Sequence, residues 1–251
     1  MNFHFLSIIS ICLRLNLLFC TSVVMAENLQ VKIGVSAPLT GDLAEYGAAV
    51  RNGITLAVEE HAKDFAQIQF IFEDNQYEPA KALTAYRKLR EIDKVDLIYS
   101  WGEPPFQVIA PLAEQELFPL IAMSLDPKPG IGKKYVIRSI NHAEQYAEKL
   151  VSYARSQGWK KIAILKTEDP FLNSMIDGIK KYLRPDENLL VYATFTPDEY
   201  DFKTQIAKLK LENFDALGVY LFSGQVSAFY RQALAQKFII STFGTDFFES
   251  E

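Results

Sequence analysis

Acidic, hydroxyl-bearing and aromatic side chains recur in this chain where apolar segments end. Eight of them stand at such ends: Tyr46, Trp101, Glu103, Ser124, Asp126, Phe171, Phe222 and Asp246. Each one alone is readily explained as a cap, turn or packing residue. Their recurrence favours another interpretation, because ligands of open α/β sheets bind beyond the carboxyl ends of the strands. The pattern therefore predicts a cleft that holds a small molecule by hydrogen bonds and ring contacts.

Catalytic and metal-binding patterns are weak in this sequence. His61 and His142 lie in separate helical patterns, and no cysteine follows Cys20, so a transition metal would find few ligands. Residues 130–134, GIGKK, lack the first glycine and the Ser/Thr of a phosphate-binding loop. No G-x-S-x-G nucleophile elbow occurs. We expect no cofactor, no metal and no enzymatic turnover.

Composition narrows the possible partners. The formal charge is −5, or −6 once Arg14 is removed with the leader described below, whereas nucleic-acid binding requires a basic face. Hydrophobic residues make up 49% of the 251 residues, which is enough for a substantial core in one large or two modest domains. We therefore expect a small-molecule ligand and no nucleic-acid partner.

The first 26 residues have the layout of a signal peptide. They contain no acid and a single strong base, Arg14, followed by the apolar run 15–24 and a small residue, Ala26. We expect cleavage between Ala26 and Glu27 and export from the cytoplasm. Both cysteines, Cys12 and Cys20, belong to this leader, so the mature chain has no thiol chemistry.

Two alternatives to a cleaved leader are less favoured. An uncleaved anchor would use residues 3–24, but Arg14 interrupts that run, and 15–24 alone is too short to span a bilayer. A lipid anchor on Cys20 is opposed by Phe19, which is bulky where a small residue is expected.

Strand-like and helical segments alternate along the rest of the chain. Helical faces are apolar at spacings of three and four residues, and the strand segments are nearly continuous apolar runs. This alternation predicts an α/β fold with parallel sheets. The predicted strands are Val31–Ala37, Ile68–Glu73, Val95–Trp101, Phe118–Ser124, Lys161–Thr167, Leu189–Thr196, Asp215–Phe222 and Phe238–Phe243.

One interval interrupts the alternation. Residues 125–141 contain two prolines and two glycines, which favours a crossing between two α/β units. We expect a first lobe over 27–124, then the crossing and a second lobe over 125–243. Residues 244–251 would start the return to the first lobe, which would be incomplete.

Several segments together resemble the type 1 periplasmic binding proteins, specifically the leucine/isoleucine/valine- and amide-binding family of ABC importers. They are IGVSAPLTGDLAEYGAAVRNGITLAVEE, FEDNQYEPAKALTAYRKL, APLAEQELFPLIAMS, KKYVIRSI and FDALGVYLFSGQVSAFYRQAL, and the resemblance covers Val31 to about Asp246. It implies two Rossmann-like lobes that close on a small ligand of the amino acid, amide, urea or amine type. It also implies an ABC permease of the inner membrane as partner, a monomer when complete, and a C-terminally truncated chain.

The same fold would serve a ligand-sensing module that presents its ligand to a signalling receptor. This alternative stays open on the sequence. Co-purification with a permease or with a kinase would decide between the two.

The resemblance also implies roles for the eight residues. Tyr46, Phe171 and Phe222 would pack on the ligand, and Asp246 would hold an ammonium group. Glu103 and Asp126 fall where amino-acid binders place hydroxyls for the α-carboxylate, with Ser124 giving a backbone contact. Two acids cannot hold a carboxylate, so either the ligand lacks one, or Ser100 is the hydroxyl and Glu103 only starts a helix.

Overall fold

The structure, a computed structural model, describes residues 30–248. In this range the chain forms two β-sheets in which every paired strand is parallel to its neighbour. The predicted α/β fold with parallel sheets is confirmed. The predicted leader, residues 1–26, lies outside the described residues, as do residues 249–251.

The strands and helices follow one another in regular alternation for most of the chain. The strands are β1 Val31–Ala37, β2 Ile68–Asp74, β3 Leu97–Trp101, β4 Leu120–Met123, β5 Val136–Arg138, β6 Lys161–Thr167, β7 Asn188–Phe195, β8 Ala216–Tyr220 and β9 Thr242–Gly244. The α-helices are α1 Ala44–Glu60, α2 Pro79–Arg87, α3 Glu103–Gln115, α4 Ala143–Ser156, α5 Pro170–Tyr182, α6 Lys203–Leu209 and α7 Ser223–Ala235. A π-helical turn, Lys88–Ile92, extends α2, and short 3-10 turns occupy Lys128–Gly130 and Asp246–Phe248.

The two sheets define two lobes. The first lobe contains the sheet β2-β1-β3-β4-β5 and helices α1 to α3, and the second contains β7-β6-β8-β9 and helices α4 to α7. In both lobes the first strand of the unit lies inside the sheet, with later strands added on either side of it. The next strand of the chain joins one side of β1 or β6, and the strand after that joins the other side. Ligands of α/β sheets bind at such points, where the strand order switches from one side to the other.

Burial explains why the apolar runs become central strands. In β6, Ile162 to Thr167 are all buried, as expected for a strand covered by helices on both faces. Large side chains such as Leu165, Phe202 and Phe229 fill the core of the second lobe. A separate core in the first lobe contains Tyr86 and Phe106. Each lobe therefore has its own hydrophobic core.

The predicted boundary between the lobes was wrong at one strand. The prediction places Val136–Arg138 within the crossing and second lobe, 125–243, but β5 pairs with β4 in the first sheet, with Val136 opposite Leu120. The physical reason is that side chains alternate between the two faces of this strand. Val136 is buried in the first core while Ile137 is 61% exposed, which is typical of an edge strand. The prolines and glycines of residues 125–135 form a loop within the first lobe, and the chain passes to the second lobe after Arg138.

Among the described helices, none combines the length and the hydropathy that crossing a membrane requires.

Candidate functional site

A cavity of about 470 Å³ lies between the two lobes, and both lobes contribute to its wall. Most of its lining is aromatic or aliphatic. The first lobe provides Tyr46, Tyr77, Trp101, Gly102, Glu103, Met123, Ser124 and Leu125, and the linker and second lobe provide Ile140, Tyr146, Leu150, Phe171, Met175, Tyr220, Gly244, Thr245, Asp246 and Phe247.

Aromatic rings form a continuous wall on the first-lobe side. The ring of Trp101 stands 5.2 Å from that of Tyr46 and 5.6 Å from that of Tyr77, measured between centroids. Phe247 continues the wall into the second lobe, with its ring edge-on to Tyr46 at 5.9 Å and to Phe171 at 5.8 Å. Such pairs each contribute about 0.5–1.5 kcal/mol beyond burial, so the rings hold one another in place.

Glu103 is the buried acid of the first lobe, with 6% of its surface exposed. It is the first residue of α3, and its Oε1 accepts a hydrogen bond of 2.7 Å from the Leu125 backbone N–H. Its Oε2 accepts a bond of 3.3 Å from the Tyr77 hydroxyl. Burial raises the pKa of Glu103 to about 7, although the bond from Leu125 lowers it, and the negative charge of Asp169 raises it further.

Asp169 is the corresponding buried acid of the second lobe. It caps the N-terminus of α5, where its Oδ1 accepts hydrogen bonds from the backbone N–H groups of Phe171, at 2.8 Å, and Leu172, at 3.3 Å. Burial raises the pKa of Asp169 to about 6 against the lowering effect of these bonds. The Tyr77 hydroxyl also lies close enough to Asp169 for each group to shift the pKa of the other, so that one hydroxyl of the first lobe stands near an acid of each lobe.

A turn after β2 places Tyr77 at this point. Gln76 and Tyr77 both have positive φ, at 47° and 61°, which is costly for residues other than glycine. The fully buried Asn75 holds the turn, because its Oδ1 accepts from the Tyr77 N–H at 2.9 Å and its Nδ2 donates to Ser36 Oγ at 3.1 Å. Burial, together with the charges of Asp169 and Glu103, raises the pKa of Tyr77 well above its ordinary value.

Gly102 lets Tyr77 and Glu103 approach each other. Its φ of +102° is a backbone conformation that residues with a side chain rarely adopt. A Cβ added there would stand 2.5 Å from Cε2 of Tyr77. The glycine between Trp101 and Glu103 is therefore required by the packing of the cavity wall.

The structure places six of the eight predicted residues at the cavity, namely Tyr46, Trp101, Glu103, Ser124, Phe171 and Asp246. Their role in binding stays a prediction. Phe222 does not line the cavity but stands behind Phe247, with ring centroids 5.4 Å apart.

Asp126, expected to be a third acid of the cleft, lies elsewhere. Its Oδ1 accepts a bond of 3.0 Å from the Lys128 N–H and so holds the start of the 3-10 turn Lys128–Gly130. It faces a neighbouring depression of about 450 Å³, here called the charged groove. The charged groove is lined by Gln107, Asp126, Lys128, Lys166, Pro170, Asn173, Ser174, Ile176, Asp177, Lys180 and Val191.

Ser100, the alternative hydroxyl for a ligand carboxylate, does not line the cavity. It is buried within β3, and its Oγ has no hydrogen-bond partner. Glu103 does start a helix, as the alternative proposed, but it also lines the cavity. The position of Glu103 does not decide between the two alternatives, and its role in binding stays a prediction.

Sequence reasoning overlooked several aromatic residues of the wall. Tyr77 was not singled out, and neither were Tyr146, Tyr220 and Phe247. The signal for Tyr77 was the D-N-Q-Y-E-P turn directly after a strand, which has the residue types of a tight loop. Tyr146 lies on a helix and Tyr220 inside a strand, so only the packing of the lobes reveals that they face the cavity.

The described part of the chain holds no cluster of three or more His, Cys, Asp and Glu side chains able to bind a metal ion. His142 instead contacts the Arg138 guanidinium, with 2.9 Å between Nδ1 and Nη2.

Two parallel-sheet lobes with a ring-lined cavity between them are the architecture of two-lobed binding proteins. The family model described as periplasmic binding protein matches residues 30–250, and the chain belongs to this family. The predicted resemblance to type 1 periplasmic binding proteins is thereby confirmed.

Curated relatives are about a quarter identical to this chain. The Leu/Ile/Val-binding protein BraC3 of Rhizobium johnstonii is 25% identical over 198 residues, which is 74% of this chain and 53% of that protein. Leu/Ile/Val-binding protein homolog 3 of Brucella melitensis is 25% identical over 195 residues, 74% of this chain and 52% of its own. The chain thus spans about half the length of the curated relatives it matches.

Solved structures share the fold. The leucine-binding protein LivK of Thermotoga maritima superposes with a TM-score of 0.77 at 22% identity, covering 86% of this chain and 63% of LivK. A solute-binding protein of an ABC transporter from Rhodopseudomonas palustris, in complex with 3,4-dihydroxybenzoic acid, has a TM-score of 0.75 at 24% identity, covering 86% and 62%. LivJ of Streptococcus pneumoniae, in complex with isoleucine, has a TM-score of 0.72 at 24% identity, covering 87% and 65%.

Proposed function

We propose that this chain binds a small ligand between its lobes as the extracytoplasmic solute-binding component of an ABC importer. The observation that carries the proposal is the cavity of about 470 Å³ whose wall comes from both lobes. This volume falls within the range of roughly 300–1,000 Å³ that small-molecule sites occupy. Family membership supports the same function, with a periplasmic location and an inner-membrane permease as the partner.

Binding would work by closure of the lobes around the ligand. Tyr77 of the first lobe already reaches Asp169 and stands edge-on to Phe222 of the second lobe, with ring centroids 6.5 Å apart. A ligand held by both walls adds contacts that only the closed arrangement provides, so it shifts the population towards closure. The closed form is then the signal that a permease recognises.

The cavity is suited to binding rather than to turnover. Nucleophilic catalysis needs a nucleophile beside a general base. The Ser124 hydroxyl instead donates to the Asp126 carbonyl at 3.2 Å, and Glu103 is engaged by Leu125 and Tyr77. Histidine is absent from the described residues that line the cavity.

Tryptophan fluorescence tests the proposal directly, because the chain has two tryptophans and they occupy different places. Trp101 lines the cavity, whereas Trp159 stacks on Phe243 with ring centroids 5.9 Å apart. The variant Trp159→Phe leaves Trp101 as the single reporter. The matched variant Trp101→Phe leaves only Trp159.

A panel of amino acids, amides, urea, amines and hydroxybenzoates is titrated into both variants. We expect at least one compound to change the emission of Trp101 saturably while leaving the emission of Trp159 unchanged. If no compound alters Trp101 emission, or if both tryptophans respond equally, ligand binding in this cavity is contradicted.

A further inference from the structure

We propose that the interlobe cavity selects an amine with an aromatic or apolar body and rejects ligands that carry a carboxylate. This inference rests on the proposed function, because it names the ligand class of the same site. Three features carry it: the sign of the charges in the wall, the rings beside those charges, and a buried hydroxyl without a partner.

The charged side chains of the cavity wall are acidic. Glu103 and Asp246 line the cavity, whereas none of its described lining residues is Lys, Arg or His. Asp169, behind Tyr77, adds a further negative charge close to Glu103. A ligand carboxylate would enter a desolvated space beside like charges, and an ammonium group would enter beside opposite ones.

Arg138 is a cation close to this wall, and the N–H groups of its guanidinium already have partners. Its Nη1 donates a hydrogen bond of 2.8 Å to the Ser124 carbonyl, and its Nη2 contacts His142. Its charge faces both Asp126 and Glu103. One guanidinium opposed by two carboxylates does not make the cavity attractive to an anion.

The rings favour the same class of ligand. The faces of Trp and Tyr rings carry negative charge density and attract cations within about 6 Å. Tyr46, Tyr77 and Trp101 stand together on the first-lobe side, next to Glu103. On the opposite side, Leu150, Phe171 and Met175 provide an apolar surface for the body of the ligand. The cavity thus pairs a cation-binding wall with an apolar one.

Tyr220 supplies an independent observation. It lies in the cavity wall at the end of β8 and is fully buried, and its hydroxyl has no hydrogen-bond partner. Buried polar groups are normally satisfied, so an unpaired one at a cavity wall indicates a partner supplied on binding. A phenol hydroxyl accepts a bond from an N–H group, which an amine provides.

Calorimetry on the full chain with four probes of similar size tests the selection. The probes are 2-phenylethylamine, 3-phenylpropionate, 2-phenylethanol and L-leucine. We expect 2-phenylethylamine to bind at least tenfold tighter than each of the others at pH 8. Tighter binding of 3-phenylpropionate or L-leucine would overturn the inference, and so would a failure of 2-phenylethylamine to bind at millimolar concentration. The proposed function is contradicted separately, by the tryptophan titrations with the wider panel, and not by the selectivity among these four probes.

The pH dependence assigns the effect to Glu103. A bound cation favours ionised Glu103, so affinity for 2-phenylethylamine should be full above pH 7 and should fall, by up to about tenfold per pH unit, as pH decreases below 7. The groups that face Glu103 are Asp169, Tyr77, Arg138 and the Leu125 N–H.

Three variants separate these contributions. Glu103→Gln should lower the affinity at pH 8 at least tenfold and remove most of the pH dependence. Asp169→Asn keeps a good helix cap and should leave a pH dependence in place but move it to lower pH, because the charge of Asp169 raises the pKa of Glu103. Asp126→Asn, an equally buried acid outside the cavity, should bind as the parent does. An unchanged affinity in Glu103→Gln, or an equal loss in Asp126→Asn, would contradict the role of Glu103.

Discussion

Two depressions of nearly equal volume, about 470 and about 450 Å³, adjoin the same interlobe boundary, but they are lined by different types of side chain. The ring-lined cavity holds acids among aromatic side chains. The charged groove sets three lysines beside two aspartates, and Lys166 there already pairs with Glu168, with 2.5 Å between Nζ and Oε2. Lys166 and Lys180 of the groove have acidic neighbours, whereas Glu103 of the cavity lies beside the Tyr77 hydroxyl.

Two acids with the same exposure make the difference concrete. Glu103 and Asp126 are each 6% exposed and follow neighbouring strands, β3 and β4. The charge of Arg138 faces both acids, but Asp126 accepts a hydrogen bond within its own loop, whereas Glu103 stands beside Tyr77, Asp169 and the cavity. Two equally buried acids therefore occupy different places, and of the two it is Glu103 that lines the cavity.

The largest effect is expected where the wall is most tightly constrained. Gly102→Ala places a methyl group against the Tyr77 ring at a backbone conformation reserved for glycine, and should lower the free energy of unfolding by about 4 kcal/mol. Gly132→Ala is the matched control, because Gly132 also has positive φ but open space around its Cβ position. Urea denaturation of both variants measures the difference. Equal losses would show that Tyr77 does not constrain Gly102.

The pH dependence of stability comes next. The pKa of Glu103 is raised from 4.5 to about 7 by folding, so between these values the folded protein binds more protons than the unfolded chain. The free energy of unfolding should therefore fall as pH rises from about 4.5 to about 7, by about 3 kcal/mol from Glu103 alone. Asp169, with its pKa raised to about 6, acts in the same direction over the lower part of the window.

Two variants separate the cavity from the groove in this measurement. In Glu103→Gln the slope of stability against pH should flatten over pH 6–7, because the titrating group is gone. Asp126→Asn should leave the slope unchanged. Chemical denaturation at several pH values provides the data, and a slope that survives in Glu103→Gln would place the titration elsewhere.

A smaller effect is expected on binding from the ring wall. Trp101→Ala removes the ring that contacts both Tyr46 and Tyr77, and should weaken the binding of whichever panel compound binds best by about 30-fold, or about 2 kcal/mol. Lys180→Ala in the charged groove should leave affinity within about twofold. Calorimetry compares the two variants, and a larger loss in Lys180→Ala would reverse the assignment of the two depressions.

The smallest expected effect is a change in stability that has opposite signs in two Tyr→Phe variants. Tyr220→Phe removes a buried hydroxyl that has no partner, and should raise the stability of the ligand-free protein by about 1 kcal/mol. Tyr230→Phe removes a hydroxyl that donates to Thr242 Oγ1 at 2.7 Å, and should lower the stability by about 1 kcal/mol. Thermal denaturation of the two variants measures both shifts, and a loss of stability in Tyr220→Phe would indicate an overlooked partner for its hydroxyl.

Local pattern was sufficient for much of the architecture. The strict alternation of apolar runs and helical faces predicted the parallel sheets, because a strand buried on both faces cannot be polar on either. It also predicted that Tyr46, Trp101 and Glu103 stand where strands end and helices begin, and the structure places Trp101 at the end of β3 and the other two in the first turns of α1 and α3. The edge strand Val136–Arg138 escaped this reasoning, because three residues with one buried side chain leave too short a pattern.

The sequence by itself thus determined the fold class and the family resemblance, and it predicted the edge of each sheet at which a site would form, because these depend on periodicity and on neighbouring residues. The tertiary structure alone decided that Asp126 turns to the groove, that Tyr77 meets acids of both lobes, and that Tyr220 is buried without a partner. Each of these facts depends on how segments far apart in the chain pack together, and burial and pairing across such distances leave no local signal in the sequence.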